Sequence, residues 1–312
     1  MQTLSESVLS GLSEAELKTY ELSQLPIDAD RARRSIRAEL SELFDDLNAD
    51  SARTARCARF RIPDSTPDDF AEHLLPVAGA GHALCGIRHA NLNPELPFVA
   101  LKTDFPLSGV EAVAEVYAQV EAHFRVFRPR WVAVTTRRPI GGQLRATWMV
   151  QHARAMQARG PWPGEAALSL EQVSSTDYYA WYRAEYGAFL EAHPHLVDLV
   201  SINDLSVMEQ SREAGLLHYL MLDGARAGLI AAERSDFLGH PGLYFNELYL
   251  TEAHRGRGLA KALQRRFVAE CCPGDAFVWG TIDADNQASY RTARANGRLA
   301  IRCESFVSVG ER

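Results

Sequence analysis

Residues 254–266, HRGRGLAKALQRR, decide how this chain is read. Gly256 and Gly258 stand among Arg255, Arg257, Lys261, Arg265 and Arg266, with no acid in the run. Before it, residues 244–250, YFNELYL, are mostly aromatic or large apolar and short enough for a buried strand. After it, Leu259, Leu263, Phe267 and Val268 recur at helical spacing. A helix that begins near Gly258 leaves the N–H groups of its first turn without internal partners, and its dipole adds to their pull on an anion. Glycine at 256 and 258 permits positive φ and lets a ligand approach without meeting a Cβ atom. The expected guest is a diphosphate.

Other phosphate loops fit less well. A P-loop needs G-x-x-x-x-G-K-[ST], which residues 256–261 do not supply, and a dinucleotide fingerprint needs G-x-G-x-x-G at the start of a βαβ unit. The pattern that fits is R/Q-x-x-G-x-G/A, occupied by Arg255, Gly258 and Ala260. It resembles the coenzyme A loop of the GNAT superfamily of acyl-CoA-dependent N-acyltransferases. The plain alternative for so short a motif is a solvated Arg/Gly turn leading into a surface helix.

The resemblance extends from about residue 166 to the C-terminus and is ordered. Residues 167–173 read as a strand, 176–192 as an aromatic helix and 202–212 as a second helix. Residues 217–222 and 227–233 flank Asp223-Gly224, a two-residue hairpin signal. The motif strand and helix follow, then a strand at 276–282, a helix from Asn286 to a C-capping Gly297, and a strand at 299–309. This succession is similar to the GNAT order. It implies an α/β (α+β) fold class, with a mixed, mostly antiparallel central sheet containing one splayed pair of strands.

The resemblance also implies roles. The loop residues Arg255, Gly256, Arg257, Gly258, Leu259, Ala260 and Lys261 would bind the diphosphate of acetyl-CoA or another acyl-CoA, a co-substrate; no metal is implied. The backbone of Leu248, Tyr249 and Leu250 would receive the pantetheine arm like an added strand. The N–H of Leu250 is the oxyanion candidate. Asn286 would cap its helix and reach the pantetheine amides, with Ser289 beside it. Glu247 is an acid inside an apolar run, where some GNAT enzymes place a glutamate base; pairing with a cation or facing solvent are the alternatives. Many members carry a tyrosine about seven positions after this asparagine. Here Ala293 stands at that position. Tyr290, one turn earlier, is the substitute acid, and packing is the competing role for it.

At 312 residues two domains are expected, and the helix-breaking run RGPWPG at 159–164 separates them. Residues 1–160 form an N-terminal α/β domain with a helical start, and 165–312 the acyltransferase domain. In the first half, Ala32, Ile36, Leu40, Leu43, Phe44 and Leu47 line a helix face, and Arg31, Arg33, Arg34 and Arg37 lie mostly elsewhere on it as a solvated cluster. Strands at 83–88 and 98–103, a helix at 110–124 and a strand at 131–135 make a ββαβ run, compatible with a degenerate second GNAT unit. Its strand-to-helix turn, DFPLSG at 104–109, lacks the arginine and paired glycines; PIGG at 139–142 is a second weak relic. Covering the substrate site and building a homodimer are the roles open to this half.

A net charge of −7 with no basic stripe outside the loop argues against general nucleic-acid binding. No apolar run is long enough to span a bilayer and the N-terminus lacks a signal-peptide pattern, so the cytoplasm is the expected compartment. Five cysteines without metal or disulfide spacing read as free thiols, and His193 with His195 as a loop pair. Tyr178, Tyr179, Trp181, Tyr182, Tyr186 and Phe189 surround their helix, which predicts contact with the N-terminal domain over an aromatic amine-binding wall. Two functions stay open. One is an N-acyltransferase moving an acetyl or other short acyl group to a small-molecule, peptide or protein amine, by direct attack in a ternary complex. The other is a catalytically silent acyl-CoA-binding sensor or partner module.

Overall fold

The computed structural model describes residues 4–194 and 202–309; His195 lies outside them. Packing divides the chain into two compact units, Met1–Thr147 with Ile301–Arg312, and Trp148–Ala300. Among the described residues no helix is long and apolar enough to cross a membrane.

The first unit opens with α1 (Glu6–Lys18), α2 (Ala29–Asn48) and α3 (Asp50–Phe60). The Asp28 carboxylate accepts from the Arg31 N–H at 2.9 Å and starts α2, whose Ala32, Ile36, Leu40 and Phe44 are buried. Of the arginine cluster, Arg33 pairs with Glu14 and Asp30 and Arg37 with Glu6, on partly or fully exposed ground. The strands β1 (His73–Val77), β2 (Gly81–His89) and β3 (Pro97–Thr103) pair antiparallel in turn. Then α4 (Val110–Val120) crosses over to β4 (Trp131–Thr136), parallel to β3. The turn PIGG leads from β4 to β5 (Gln143–His152). Its Gly142 has φ +74°, and a Cβ there would lie 2.5 Å from the Phe306 carbonyl oxygen, so this glycine serves a close backbone approach. The last strand of the chain, β11 (Leu299–Ser308), pairs antiparallel with β4. Alternate residues of β3, Val99 and Leu101, bury against Val113, Val116 and Val120 of α4.

The second unit runs α5 (Ala153–Gln157), β6 (Leu168–Gln172), α6 (Tyr178–Ala192), α7 (Leu205–Glu213), β7 (Leu217–Leu222), β8 (Ala225–Arg234), β9 (Gly242–Leu250), α8 (Leu259–Cys271), β10 (Phe277–Asp283) and α9 (Gln287–Ala295). Strands β6 to β9 are antiparallel neighbours in sequence, and β10 lies parallel to β9. Every element anticipated between 167 and 297 is present within a few residues of its expected ends. Asp223 and Gly224 both have positive φ and join paired Leu222 and Ala225, the two-residue hairpin turn their identities favour. Gly297, at φ +80°, closes α9: its N–H donates to the Arg294 carbonyl, and that of Arg298 to Ala293.

The aromatic helix departs from expectation. Tyr178, Tyr182 and Tyr186 are buried in their own unit, together with Leu229, Tyr219 and Tyr249 of the sheet and Met208 of α7. Trp181 meets Tyr219 and Tyr249 edge-on. The rings expected to need a foreign surface fill a broad groove between sheet and helix, because six large side chains cover more sheet than one narrow stripe would. The run 159–164 is likewise built into this unit: the Trp162 indole N–H donates to Asn296 Oδ1 at 2.9 Å.

Candidate functional site

One extra residue in β9 organises the site. Pairing of β8 with β9 runs Gly228↔Leu250 to Ala231↔Glu247, then resumes at Ala232↔Phe245, leaving Asn246 as a bulge. Strand side chains alternate in direction, so a bulge shifts the phase. Leu243 and Phe245 pack on the α8 side, and beyond the bulge Leu248 and Leu250 do so as well. Were Asn246 paired in the ladder without a bulge, Glu247 would take its turn on that side. With it, Glu247 and Tyr249 turn toward α6 and α7. The bulge is tied down twice: Asn246 Nδ2 donates to Ser211 Oγ at 3.2 Å, and the Asn246 carbonyl accepts from Asn203 Nδ2 at 3.1 Å.

At the same place β9 leaves β10. The two pair in register only at Gly242↔Phe277, Leu243↔Val278 and Tyr244↔Trp279, so the strands splay from Phe245 onward. The Thr251 N–H donates to the Ala227 carbonyl. In an antiparallel ladder amides alternate in direction, so Tyr249 and Glu247 also aim theirs at β8, while Leu250 and Leu248 aim theirs into the gap. The Leu248 N–H is taken by Glu247 Oε1 at 2.9 Å.

Glu247 Oε2 accepts from the Tyr182 hydroxyl at 2.5 Å and from Asn203 Nδ2 at 3.1 Å. Part of the residue remains accessible, yet its carboxyl is crowded by protein. Burial therefore raises its pKa above the usual carboxylate value, against the opposing pull of the Tyr182 hydroxyl, the Leu248 amide, Asn203 and Arg255. Tyr182 is fully buried, and its own pKa rises through burial first and the Glu247 charge second. Neither Tyr182 nor Asn203 was singled out from sequence as a partner of the acid. Tyr182 is one of six similar rings, and Asn203 is an ordinary loop residue 44 positions from Glu247.

The loop has the expected backbone. Gly256 and Gly258 have φ of +71° and +76°, and a Cβ on Gly256 would meet nothing within 4 Å. Gly258 stands at the head of α8, where no side chain caps the helix. The cations are less alike than the sequence suggests. Arg257 is exposed. Arg255 donates through Nε to the Leu250 carbonyl at 2.8 Å, and its guanidinium lies 3.5 Å from the centre of the Phe189 ring. Lys261 Nζ sits 3.9 Å over the Trp162 ring. Arg265 makes a two-pronged ion pair with buried Glu165, and Arg266 pairs with Glu270 at 2.7 Å. Leu259 is buried and Ala260 packs beside the core. The open ground at Gly256 and the uncapped helix head fit a diphosphate.

Across the gap, Asn286 caps α9 by accepting from the Ser289 N–H at 3.1 Å. Tyr290 packs beside Met149, Ile282 and Ala293. Ala293 is 1% exposed, so a larger ring at that position would need room the core does not offer.

The first unit repeats the succession hairpin, hairpin, helix, parallel strand, and β3 also pairs with β4 at only three positions, Phe98↔Trp131 to Ala100↔Ala133. Aligning the two splays places Leu101 with Phe245. Pairing of β2 with β3 runs one to one, with no bulge, and the residue on the helix face is then Lys102, where the second unit has Glu247. Lys102 is ion-paired with Glu16 of α1. After β3, Asp104 accepts from the His82 N–H at 2.7 Å, while Phe105 and Leu107 pack on the core. An acid and apolar side chains stand where the other loop has glycines and cations, which opposes anion binding.

No protein-family model and no curated protein matches the chain. Among solved structures, a GNAT-family acetyltransferase from Colwellia psychrerythraea is 10% identical, with 84% of this chain and 97% of that one covered at a TM-score of 0.51. A GCN5-related N-acetyltransferase from Sphaerobacter thermophilus is 14% identical, with 86% and 94% covered at 0.48. The first likeness gives the fold: this chain has the mixed, mostly antiparallel α/β architecture of GNAT proteins.

Proposed function

We propose that the chain is an N-acyltransferase that moves an acetyl or other short acyl group from acyl-CoA to a primary amine, by direct attack within a ternary complex. The second compact unit, Trp148–Ala300, carries the reaction, and the first unit is a degenerate GNAT unit. The observation that carries this reading is the coincidence of the Asn246 bulge, the β9–β10 splay and the Gly256–Gly258 loop. A gap edged by inward-pointing backbone suits a pantetheine arm, and the uncapped helix beside it suits the diphosphate.

Chemistry follows from what the gap presents. An amine is mostly protonated at neutral pH and must lose a proton to become a nucleophile. Glu247, with its raised pKa, takes that proton. The Leu250 N–H, aimed into the gap, donates to the oxyanion as the tetrahedral intermediate forms. Asn286 and Ser289 flank the arm. Tyr290 supplies the thiolate's proton directly or through water.

Purified protein incubated with acetyl-CoA and a library of small and peptide amines is expected to release free thiol in an amine-dependent manner. Gly258→Glu places a carboxylate at the helix head and is expected to abolish acetyl-CoA binding. Binding without turnover across the library would instead support a silent acyl-CoA sensor, which the packed setting of Tyr290 favours. Unchanged binding by Gly258→Glu would remove both readings.

A further inference from the structure

The two oxygens of Glu247 are held differently. Oε2 has two donors, the Tyr182 hydroxyl and Asn203 Nδ2, both on the helix side of the strand. Oε1 has the Leu248 N–H, an amide that points into the β9–β10 gap. A carboxylate has room for about four donors, so Oε1 keeps acceptor capacity on the side where the amine must approach.

Asn203 is itself anchored. Its N–H donates to the Tyr182 hydroxyl at 3.2 Å, its carbonyl accepts from the Tyr179 hydroxyl at 3.0 Å, and its side-chain amide also holds the bulge carbonyl of Asn246. One loop residue thus joins α6, the bulge and the acid. Such redundancy is more than is needed to satisfy one asparagine, and it fixes the orientation of a side chain with three rotatable bonds.

We propose that Tyr182 and Asn203 are positioning residues that hold Oε2 of Glu247 and so leave Oε1, at the edge of the gap, as the oxygen that receives the amine proton. This rests on Glu247 being the base. The ammonium N–H bond breaks as an O–H bond forms at Oε1, and the freed nitrogen pair attacks the thioester carbonyl. The intermediate then loses a second proton and expels the thiolate; of the two protons, one ends on the thiol and the other passes to solvent. The groups facing Glu247 are Tyr182 and Tyr186 of α6, Asn203, the Leu248 amide, and Arg255 beyond β9.

The test is the titration of Glu247 followed by carbon-13 NMR in protein labelled at the glutamate side-chain carboxyl, with the resonance assigned by its loss in Glu247→Gln. Tyr182→Phe keeps the ring and removes one donor; Asn203→Ala removes the other. Each is expected to move the titration to higher pH, by about tenfold in the acid dissociation constant, because a hydrogen bond to a charged group is lost. Acetyl-CoA affinity should change little in Tyr182→Phe, and the melting temperature should fall only by the few degrees that a tenfold shift in the Glu247 titration entails. A merely structural role would lower the melting temperature and leave the titration in place, and a titration unmoved in both variants overturns the proposal. The base itself is tested apart: if Glu247→Gln keeps full turnover with an amine the wild type uses, the reading of Glu247 fails however Tyr182 and Asn203 behave.

Discussion

Two acids, Glu247 and Glu16, illustrate opposite uses of burial. Glu247 is raised because burial outweighs its hydrogen bonds, which suits a group that must give and take a proton. If Glu247 is the proposed base, its ionised form is the working one, so turnover is expected to rise with pH through this raised value, and a pH–rate profile lacking that acidic limb in Glu247→Gln would tie the limb to the residue. Glu16 is also buried, and burial alone would raise it, but Lys102 and Arg302 prevail and lower it to about 2. A depressed carboxylate stabilises the fold above its unfolded value of 4.5 and loses that contribution as pH falls toward about 2. The shift corresponds to about 3 kcal/mol. Urea titrations between pH 6 and pH 2 should therefore lose stability steeply in wild type. In Glu16→Gln the wild-type excess should be gone already at pH 6, since Arg302, held by Glu16, Tyr20 and Thr135, would lose its ion pair with Glu16.

At the scale of elements, sequence and structure agree where a local rule sets the outcome. Asp223-Gly224, Asn286 and Gly297 each mark an end through their own backbone or side-chain chemistry, and each stands where it was expected. The glycine loop was legible for the same reason. The bulge was not. Asn246 sits in YFNELYL without a glycine or proline to mark it, and whether it is skipped depends on β8, twelve or more residues away. The direction of Glu247 depends on that skip, so its partners were out of reach of pattern reading. The element makes its own prediction. Asn246→Ala keeps the extra residue and loses chiefly the bond to Ser211, costing about 1 kcal/mol. Deleting Asn246 leaves Glu247 opposite Ala231 and on its present face but removes the bulge with its ties to Ser211 and Asn203, and should weaken acetyl-CoA binding and lower the melting temperature more than Asn246→Ala does. Equal effects of the two changes would show that the bulge has no special place in the site. The last strand was expected at 299–309 and is present, but no local signal says which core receives it.

For the whole molecule, the chain passes between its two compact units at 147/148 and again at 300/301. The final strand pairs with β4 from Ser308↔Trp131 to Cys303↔Thr136, and the Ile301 carbonyl accepts from the Glu21 N–H at 2.7 Å. Removing residues 301–312 is accordingly expected to destabilise the first unit more than the second. Hydrogen exchange by mass spectrometry would read this as lost protection in residues 131–136 and in α1, with residues 217–222 and 277–283 far less affected; uniform loss would contradict the division. The same routing has a consequence for biosynthesis. Residues 1–147 leave the ribosome long before residues 301–308, so β4 waits through the synthesis of the entire second unit with one edge open. The half made first is the half completed last, and an exposed strand edge during that interval is where a chaperone would find its hold.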